Sequence, residues 1–181
     1  MVRTTARILD EYLVASARAG DRRSMEQLVQ RWQARLVAHA WRLTGDFDGA
    51  HEAAQLGWIE IGRGLGRLQD GRAFPAWAYR IVSRICARQV GDAIGRRRLA
   101  EAVAAQPEVG PAEIGGELDA ARLRAAIRAL PPEQRAAVAL FYFEDMGVAE
   151  VAVALNVPAG TVKTRLMHAR RKLRAALEGE S

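Results

Sequence analysis

The sequence predicts an all-α protein in which two small helical bundles are joined by a flexible acidic linker. Apolar residues recur at spacings of three and four along both halves of the chain, which is the period of an amphipathic helix. No segment alternates apolar and polar residues as a half-buried strand does. Residues 99–116 carry acids, prolines and glycines but no base, which is typical of a linker. The predicted domains are therefore residues 1–98 and 117–181.

Four helices are predicted in the first half, over residues 8–19, 21–43, 46–61 and 74–94. Asp21 and either Asp46 or Asp48 can cap the second and third of them, because a carboxylate accepts hydrogen bonds from free backbone N–H groups. The glycines that follow predict fraying after about Ile61, since each costs up to ~1 kcal/mol relative to alanine. The pair Asp70-Gly71 indicates a turn before the fourth helix.

Four more helices are predicted in the second half, over residues 117–130, 133–146, 148–155 and 161–177. The pair Pro131-Pro132 separates the first two, and Pro132 can begin the second of them. Gly147 can cap the third helix, and Asn156 with Val157 makes a short turn before the last one. A short helix, a tight turn and a longer helix in this order indicate a helix-turn-helix.

Composition favours a polyanionic partner. The net charge is +6 and the isoelectric point is about 10.4, and 25 of the basic residues are arginines, which suit bidentate phosphate and guanine contacts. The single cysteine, Cys86, excludes an intramolecular disulfide and is interpreted as a buried small side chain. No apolar run reaches the ~18 residues of a transmembrane helix, and no signal-peptide core begins the chain. A soluble, cytoplasmic protein without membrane insertion is expected.

The last helix has one apolar side and one strongly basic side. Val162, Leu166, Ala169, Leu173 and Leu177 follow each other at steps of four, three, four and four, so they line one face. The remaining faces carry the cations Lys163, Arg165, Arg170, Arg171, Lys172 and Arg174, and no acid lies between residues 158 and 177. A helix that packs by one stripe and presents cations elsewhere is suited to the DNA major groove.

The fourth helix is a second candidate nucleic-acid surface. Arg80, Arg84 and Arg88 recur every four residues and share a face. Phe74 and Trp77 lie at the start of the helix, and aromatic rings beside a basic row can stack on unpaired bases. Packing of these rings inside the bundle is an equally good interpretation of the composition.

Signals of catalysis are lacking. His39, His51 and His168 are scattered without metal-ligand spacing, and no nucleophile stands beside a base. The glycines of residues 62–66 do not follow a strand, so they form no nucleotide-binding motif. No catalytic residue, metal, cofactor or small-molecule substrate is therefore expected.

Together these residues resemble the extracytoplasmic-function (ECF) group of bacterial sigma factors. The resemblance begins at residues 17–21 (ARAGD), continues at residues 74–81 (FPAWAYRI) and includes residues 131–135 (PPEQR). Its most specific stretch is residues 157–166 (VPAGTVKTRL). Each motif alone is moderately specific, and the order and spacing of the motifs along the chain make the resemblance strong. The resemblance covers nearly the whole chain.

The resemblance implies a protein that binds core RNA polymerase and directs it to promoters. The last helix is implied to read the double-stranded −35 element through Thr161, Lys163, Thr164, Arg165, His168, Arg170, Arg171 and Arg174. The loop before the fourth helix and that helix are implied to hold the single-stranded −10 element through Asp70, Arg72, Phe74, Trp77, Arg80, Arg84 and Arg88. The third helix is implied to bind polymerase through Glu52, Gln55, Leu56 and Trp58. The linker is implied to enter the RNA-exit path, and an anti-sigma factor is a further possible partner.

The polymerase-binding helix departs from the family pattern. Residues 51–58 read HEAAQLGW, so Leu56 stands where the family usually has a second acid, and His51 adds no negative charge. Such acids pair with a basic polymerase surface, so docking is expected to be weaker. Two other functions stay open: a sigma-like mimic that sequesters an anti-sigma factor, and a helix-turn-helix regulator that does not act through polymerase.

Overall fold

The computed structural model describes residues 5–100 and 118–178, and over these residues it contains α-helices and short helical turns but no strand. This confirms the predicted all-α class. The helices are α1 Thr5–Arg18, α2 Arg22–Thr44, α3 Phe47–Gly64, α4 Phe74–Ala100, α5 Leu118–Arg128, α6 Pro132–Val138, α7 Val148–Leu155 and α8 Ala159–Glu178. Helix α4 runs past its predicted end at Ile94 and includes residues 99 and 100, which the sequence assigned to the linker. The rest of the predicted linker lies outside the described residues.

Three helix ends are set by residues at or beside the predicted helix boundaries. The carboxylate of Asp21 accepts a hydrogen bond from the backbone N–H of Ser24 at 3.2 Å, at the start of α2. Gly45 ends α2 with a left-handed φ of 72°, a conformation that glycine adopts without steric strain. Asp46 caps α3 by accepting from the backbone N–H of Gly49 at 2.9 Å. The predicted caps are confirmed.

Helix α3 continues to Gly64, although its glycines predict fraying after Ile61. A methyl group on Gly57 would lie 2.9 Å from Val82 Cγ2, and one on Gly64 would lie 2.9 Å from Trp77 Cζ2. Both neighbours belong to α4, so the two helices approach each other where α3 has no side chain. This packing offsets the low helix propensity of glycine, a tertiary effect that local sequence does not reveal.

The first bundle is built around an aromatic cluster of Trp32, Phe74 and Tyr79, which are almost completely buried. The Trp32 ring meets Phe74 edge to face at 5.2 Å and Tyr79 at 5.7 Å between ring centroids. Such edge-to-face pairs are favoured by the aromatic quadrupole. Cys86 is buried on α4, and burial raises the pKa of its thiol to about 12, in agreement with its predicted structural role.

The second bundle contains the predicted helix-turn-helix. Glu150 caps α7 by accepting a hydrogen bond from the backbone N–H of Gly147 at 2.8 Å. Asn156 ends α7 in the left-handed conformation with a φ of 54°, which asparagine tolerates better than most residues. Val162, Leu166 and Ala169 of α8 are buried and Leu173 is half-buried, whereas Leu177 is 44% exposed. The predicted apolar stripe therefore packs as far as Leu173, and its last residue lies at the surface. The helix predicted over residues 133–146 is shorter in the structure, because α6 is followed by a π-helical turn, Ala139–Phe143, and residues 144–147 are not helical.

The two bundles pack against each other and share one apolar core. Helix α4 contacts α7, and α2 contacts α6 and the π-helical turn. Glu144, which follows that turn, is only 8% exposed and points at the first bundle. Its carboxylate accepts a hydrogen bond from the hydroxyl of Tyr79 and pairs with Arg42 at 2.8 Å and Arg35 at 3.5 Å. The sequence did not predict this contact.

His39 is a fully buried histidine in the core of the first bundle. It is 0% exposed, its Nε2 lies 2.9 Å from Ser83 Oγ, and its Nδ1 has no hydrogen-bond partner among the described residues. Burial, together with the charge of Arg42, lowers the pKa of His39 to about 3. The imidazole is therefore neutral in the folded protein at pH 7.

Acidification should destabilise the fold through His39. The unfolded imidazole binds a proton below pH ~6.5 whereas the folded one does so only near pH 3, so stability falls as the pH falls through that window. Between pH 7 and pH 5 we expect His39 to lower the free energy of unfolding by roughly 2 kcal/mol. Urea titration at both pH values measures this. His39→Gln should remove that part of the pH dependence, and His51→Gln should keep it; an equal dependence in all three proteins would contradict the assignment.

Candidate nucleic-acid interface

Helix α8 exposes the cations that the sequence placed opposite its apolar stripe. Its buried residues fix the helix against α6 and α7, so the orientation of the other faces is set by packing. Lys163, Thr164, Arg170, Arg171 and Arg174 are exposed, and Thr161 and His168 are half-buried. These seven side chains lie along one continuous helix of 20 residues. The exposed cations thus lie along one α-helix, which is an element that the major groove admits.

Arg165 differs from the other cations of α8. Its side chain is only 19% exposed, and its Nη2 lies 2.8 Å from Oε2 of Glu133, which belongs to α6. Glu133 itself is exposed, so the pair lies at the edge of the bundle. This ion pair occupies part of the hydrogen-bonding capacity of the guanidinium, which has five N–H donors.

The loop before α4 is held by Asp70. Its carboxylate accepts hydrogen bonds from the backbone N–H of Arg72 at 2.9 Å and from Arg72 Nε at 3.0 Å. These hydrogen bonds and the charge of Asp70 raise the pKa of the exposed Arg72 guanidinium. Phe74 is 0% exposed, so its ring supports the loop from inside the bundle and presents no face to a base. Trp77 is half-buried beside Gly64.

The arginine row on α4 is exposed but partly paired. Arg80, Arg84 and Arg88 are all exposed. Glu60 of α3 pairs with Arg84, and its other oxygen lies 3.7 Å from Arg88. These exposed pairs are weak, since water and salt screen them, so both arginines can exchange Glu60 for a phosphate.

Helix α3 presents a mixed surface. Glu52 and Gln55 are exposed, and Glu52 accepts a hydrogen bond from Gln89 of α4 at 3.2 Å. Leu56 is 41% exposed and Ile59 is 50% exposed, so the missing acid leaves an apolar area on this helix. Trp58 is half-buried, and its Nε1 donates to Gln33 Oε1 at 2.6 Å. This tryptophan anchors α3 to α2 as well as bordering the surface.

A cleft of about 630 Å³ lies between the bundles. Arg80, Ser83 and Arg84 of α4 line one side, and Glu133 and Arg165 of the second bundle line the other. The structure thus brings one residue of the predicted −35 surface next to two residues of the predicted −10 surface. It leaves the other −35 cations outside this cleft.

Sequence reasoning missed three carboxylates that pair with arginines. Glu60 and Glu133 pair with cations of the predicted DNA surfaces, and Glu144 pairs with Arg35 and Arg42 between the bundles. A signal existed for Glu144, because it directly follows the apolar run of residues 136–143 and an acid in such a place needs a partner. Glu60 and Glu133 stand in ordinary helical surface patterns and gave no signal.

The described residues also bear on two other features, a metal site and a membrane span. None of their His, Cys, Asp and Glu side chains form a group of three or more that could hold a metal ion. Within residues 5–100 and 118–178, no helix combines the length and apolar character needed to cross a bilayer.

Comparison with known proteins identifies both bundles. Residues 28–94 match the family Sigma-70 region 2, and residues 120–173 match Sigma-70, region 4. The chain is 32% identical to the ECF RNA polymerase sigma factor SigM of Mycobacterium tuberculosis, over 91% of this chain and 82% of that protein. It is 29% identical to the RNA polymerase sigma-H factor of Pseudomonas aeruginosa, over 93% of this chain and 94% of that protein.

Two solved structures have the same fold as this chain. CnrH, solved in complex with the cytosolic domain of CnrY, superimposes with a TM-score of 0.72 and 25% identity, over 96% of this chain and 99% of that chain. The sigma factor RpoE of Bartonella quintana, solved with the anti-sigma factor NepR, has the same fold with a TM-score of 0.72 and 22% identity, over 87% of this chain and 98% of that chain. The two matched regions, in this order and over most of the chain, show that it belongs to the ECF group of RNA polymerase sigma factors.

Proposed function

We propose that this sigma factor binds core RNA polymerase through its first bundle and directs promoter-specific initiation by reading a −35 and a −10 element. One observation carries the proposal: a region 2 match covers the bundle with the aromatic and arginine-rich helix α4, and a region 4 match covers the bundle with the cationic helix α8. A helix-turn-helix regulator that worked alone would not need the first bundle.

For the −35 element we assign α8 to the major groove. Lys163 and Thr164 are exposed near its N-terminal end, where recognition helices contact base edges. Arg165 joins them once it leaves Glu133. Arg170, Arg171 and Arg174 lie further along and are assigned to phosphates, with Thr161 and His168 at the border of the contact. Phosphate contacts position the helix and base contacts give it sequence specificity.

For the −10 element we assign the loop at Asp70 and the exposed face of α4. Arg80, Arg84 and Arg88 provide a cationic row for the backbone of one strand, and Trp77 provides the ring nearest to that row. Stacking on such a ring contributes about 1–3 kcal/mol per base. Phe74 takes part only by holding the loop.

For polymerase we assign the exposed side of α3, with Glu52, Gln55 and Leu56 in contact and Trp58 as its anchor. The protein is assigned no catalytic chemistry and no small-molecule substrate. Its place of action is the cytoplasm, where core polymerase meets DNA. CnrH, a similar protein, was solved with a second protein bound, and we expect this chain also to bind a protein regulator of the anti-sigma class.

Run-off transcription with core RNA polymerase tests the function directly. The purified chain is added to core enzyme and a library of upstream genomic fragments. Discrete start sites that share two upstream elements are expected. Stable DNA binding without transcripts would contradict the proposal in favour of a helix-turn-helix regulator, and absence of both activities would favour a sigma-like mimic.

Substitutions on α8 test the −35 assignment. Lys163→Ala and Arg165→Ala should each weaken binding to the cognate −35 duplex by about 1–3 kcal/mol, because a base contact is lost. Fluorescence anisotropy at moderate salt measures the affinity. Arg174→Ala is the matched control: it should weaken cognate and unrelated duplexes alike and lower the salt slope by about one. Unchanged affinity in both Lys163→Ala and Arg165→Ala would refute the assignment.

A substitution that places an acid at position 56 of α3 tests the polymerase contact. Leu56→Glu should tighten binding to core polymerase by around 1 kcal/mol, which is the scale of a favourable exposed ion pair. Leu123→Glu on α5 is the matched control, since Leu123 is 39% exposed and Leu56 is 41% exposed; it should leave affinity unchanged. Weaker binding of Leu56→Glu would instead mean that α3 docks through the apolar area of Leu56 and Ile59.

A further inference from the structure

The cleft that α4 lines has the composition of a small-molecule pocket. Its volume is about 630 Å³, and sites for small ligands commonly have volumes of about 300–1,000 Å³ with mostly apolar walls. The apolar walls of this cleft are aliphatic: Leu43, Ala87, Val90, Ala136, Leu155 and Val157. No aromatic ring belongs to the described residues that line it. The cleft therefore suits an aliphatic body better than a nucleobase, which binds by stacking on a ring.

Positive charge is concentrated in the same cleft. Three arginines line it, Arg80, Arg84 and Arg165, against Glu133 as the one acid among the described lining residues. Arg80 is exposed and makes no ion pair with any residue that the structure describes. Arg84 pairs with Glu60 and Arg165 pairs with Glu133, but a guanidinium has five N–H donors, so both keep donors for a further acceptor. A ligand with a negative head group complements this excess of positive charge.

Ser83 adds a neutral donor beside the arginines of α4. Its side chain lines the cleft, and its Oγ lies 2.9 Å from Nε2 of the buried His39. Nδ1 of that ring has no hydrogen-bond partner among the described residues, and a buried N–H without an acceptor is rarer in proteins than an acceptor without a donor. We therefore assign the proton of the neutral imidazole to Nε2, which donates to Ser83. The O–H of Ser83 is then free to donate into the cleft.

We infer that this cleft binds a small amphipathic anion, which places a carboxylate or phosphate head on the arginines and an aliphatic body against the apolar walls. Arg80 and Arg84 lie one helical turn apart and hold the head by charge-assisted hydrogen bonds, which are stronger than those between neutral groups. Arg165 approaches the head from the opposite side of the cleft. The function proposed above gives the apolar walls no role, so this is an additional binding site.

The anion and promoter DNA use the same cations. Arg80 and Arg84 are assigned to the −10 element and Arg165 to the −35 element, so a bound anion occupies donors that DNA needs. This competition rests on the function proposed above, whereas binding of the anion itself does not. The cleft thus gives the protein a means of responding to the concentration of an amphipathic anion.

Calorimetric titration of the full chain with matched probes tests the ligand class. Octanoate has both the charged head and the aliphatic body, octanol lacks the charge, and inorganic phosphate lacks the body. We expect octanoate to bind at one site with a negative change in heat capacity, because apolar surface is buried. Octanol and inorganic phosphate should bind at least about tenfold more weakly, since each lacks one half of the contact. Octyl phosphate shows which head is preferred: tighter binding than octanoate identifies a phosphate, and weaker binding a carboxylate.

Two substitutions test the location of the site. Ala87→Phe fills the cleft from an exposed position of α4, and Arg80→Gln removes one of its cations. Each should weaken octanoate binding about tenfold, the scale of one lost charge-assisted hydrogen bond. The matched controls are Ala34→Phe and Arg22→Gln at exposed positions of α2 that do not line the cleft, and they should leave the affinity unchanged. Circular dichroism shows that the compared variants keep their helices.

The effect of the anion on DNA is measured with the same proteins. Saturating octanoate should weaken binding to the −35 duplex about tenfold, the scale of one lost base contact, because it occupies Arg165. The duplex affinity of Ala87→Phe should not respond to octanoate, since the filled cleft no longer binds it.

The outcomes separate the site from the function. The site is overturned if octanol or inorganic phosphate binds as tightly as octanoate, or if Ala87→Phe and Arg80→Gln bind octanoate as the wild type does. Octanoate binding that leaves the duplex affinity unchanged supports the site and overturns the competition. Octanoate binding by a chain that does not bind the duplex even without the anion supports the site and refutes the proposed −35 function.

Discussion

The edge-to-face packing of Trp32 on Phe74 and Tyr79 is the interaction on which the rest of the structure depends. It joins α2 to the first two turns of α4, and through Phe74 it fixes the loop that Asp70 caps. The same aromatic cluster also contacts the second bundle. Tyr79 donates a hydrogen bond to Glu144, and the Arg35 guanidinium, which pairs with Glu144, lies over the Trp32 ring. One buried cluster therefore sets the conformation of the loop that we assign to the −10 element, the direction of the arginine row and the contact between the bundles.

The positions of the cations on α4 and α8 are a consequence of packing. On α8 the buried residues Val162, Leu166 and Ala169 fix the helix, and the cations take the positions that the core does not need. On α4 the buried residues Val82 and Ile85 do the same for the arginine row. Burial of an aliphatic side chain stabilises by about 1.5–3 kcal/mol, much more than an exposed ion pair. Packing of the core therefore determines which faces of α4 and α8 expose their cations, and these are the faces that we assign to DNA.

Local sequence was sufficient for the helices and their caps because those features depend on neighbouring residues. Asp21, Gly45 and Asp46 act within a few positions of themselves, and the period of α8 can be counted along the chain. Features that depend on distant residues were not predictable. The glycines of α3 weaken a helix in isolation, and only the approach of α4 at Gly57 shows why they are tolerated.

The candidate site also has features that the sequence predicted and features that only the fold reveals. Composition indicated which cations could meet DNA, and their exposure on α8 agrees with the period of the helix. The burial of Phe74 needed the fold, since an aromatic residue beside arginines is equally compatible with a core and with a surface. The pairing of Arg165 with Glu133, 32 positions away along the chain, also needed it, because helix packing and not sequence distance brings the two together.

Three carboxylates offset the charge of the arginines that the fold brings together. Glu60 pairs with Arg84 and Arg88, Glu133 pairs with Arg165, and Glu144 pairs with Arg35 and Arg42. A chain with a net charge of +6 gathers cations on facing helices only if acids offset their repulsion.

The three acids differ in how easily a phosphate can replace them. Glu60 and Glu133 are partly or largely exposed, so their ion pairs are weak and DNA can displace them. Glu144 is buried, and separating a buried carboxylate from its partners costs several kcal/mol because the remaining charges lose their compensation. Phosphates can therefore take over the arginines of α4 and α8 one by one, whereas the contact at Glu144 breaks only when the two bundles part and water reaches all three of its partners together.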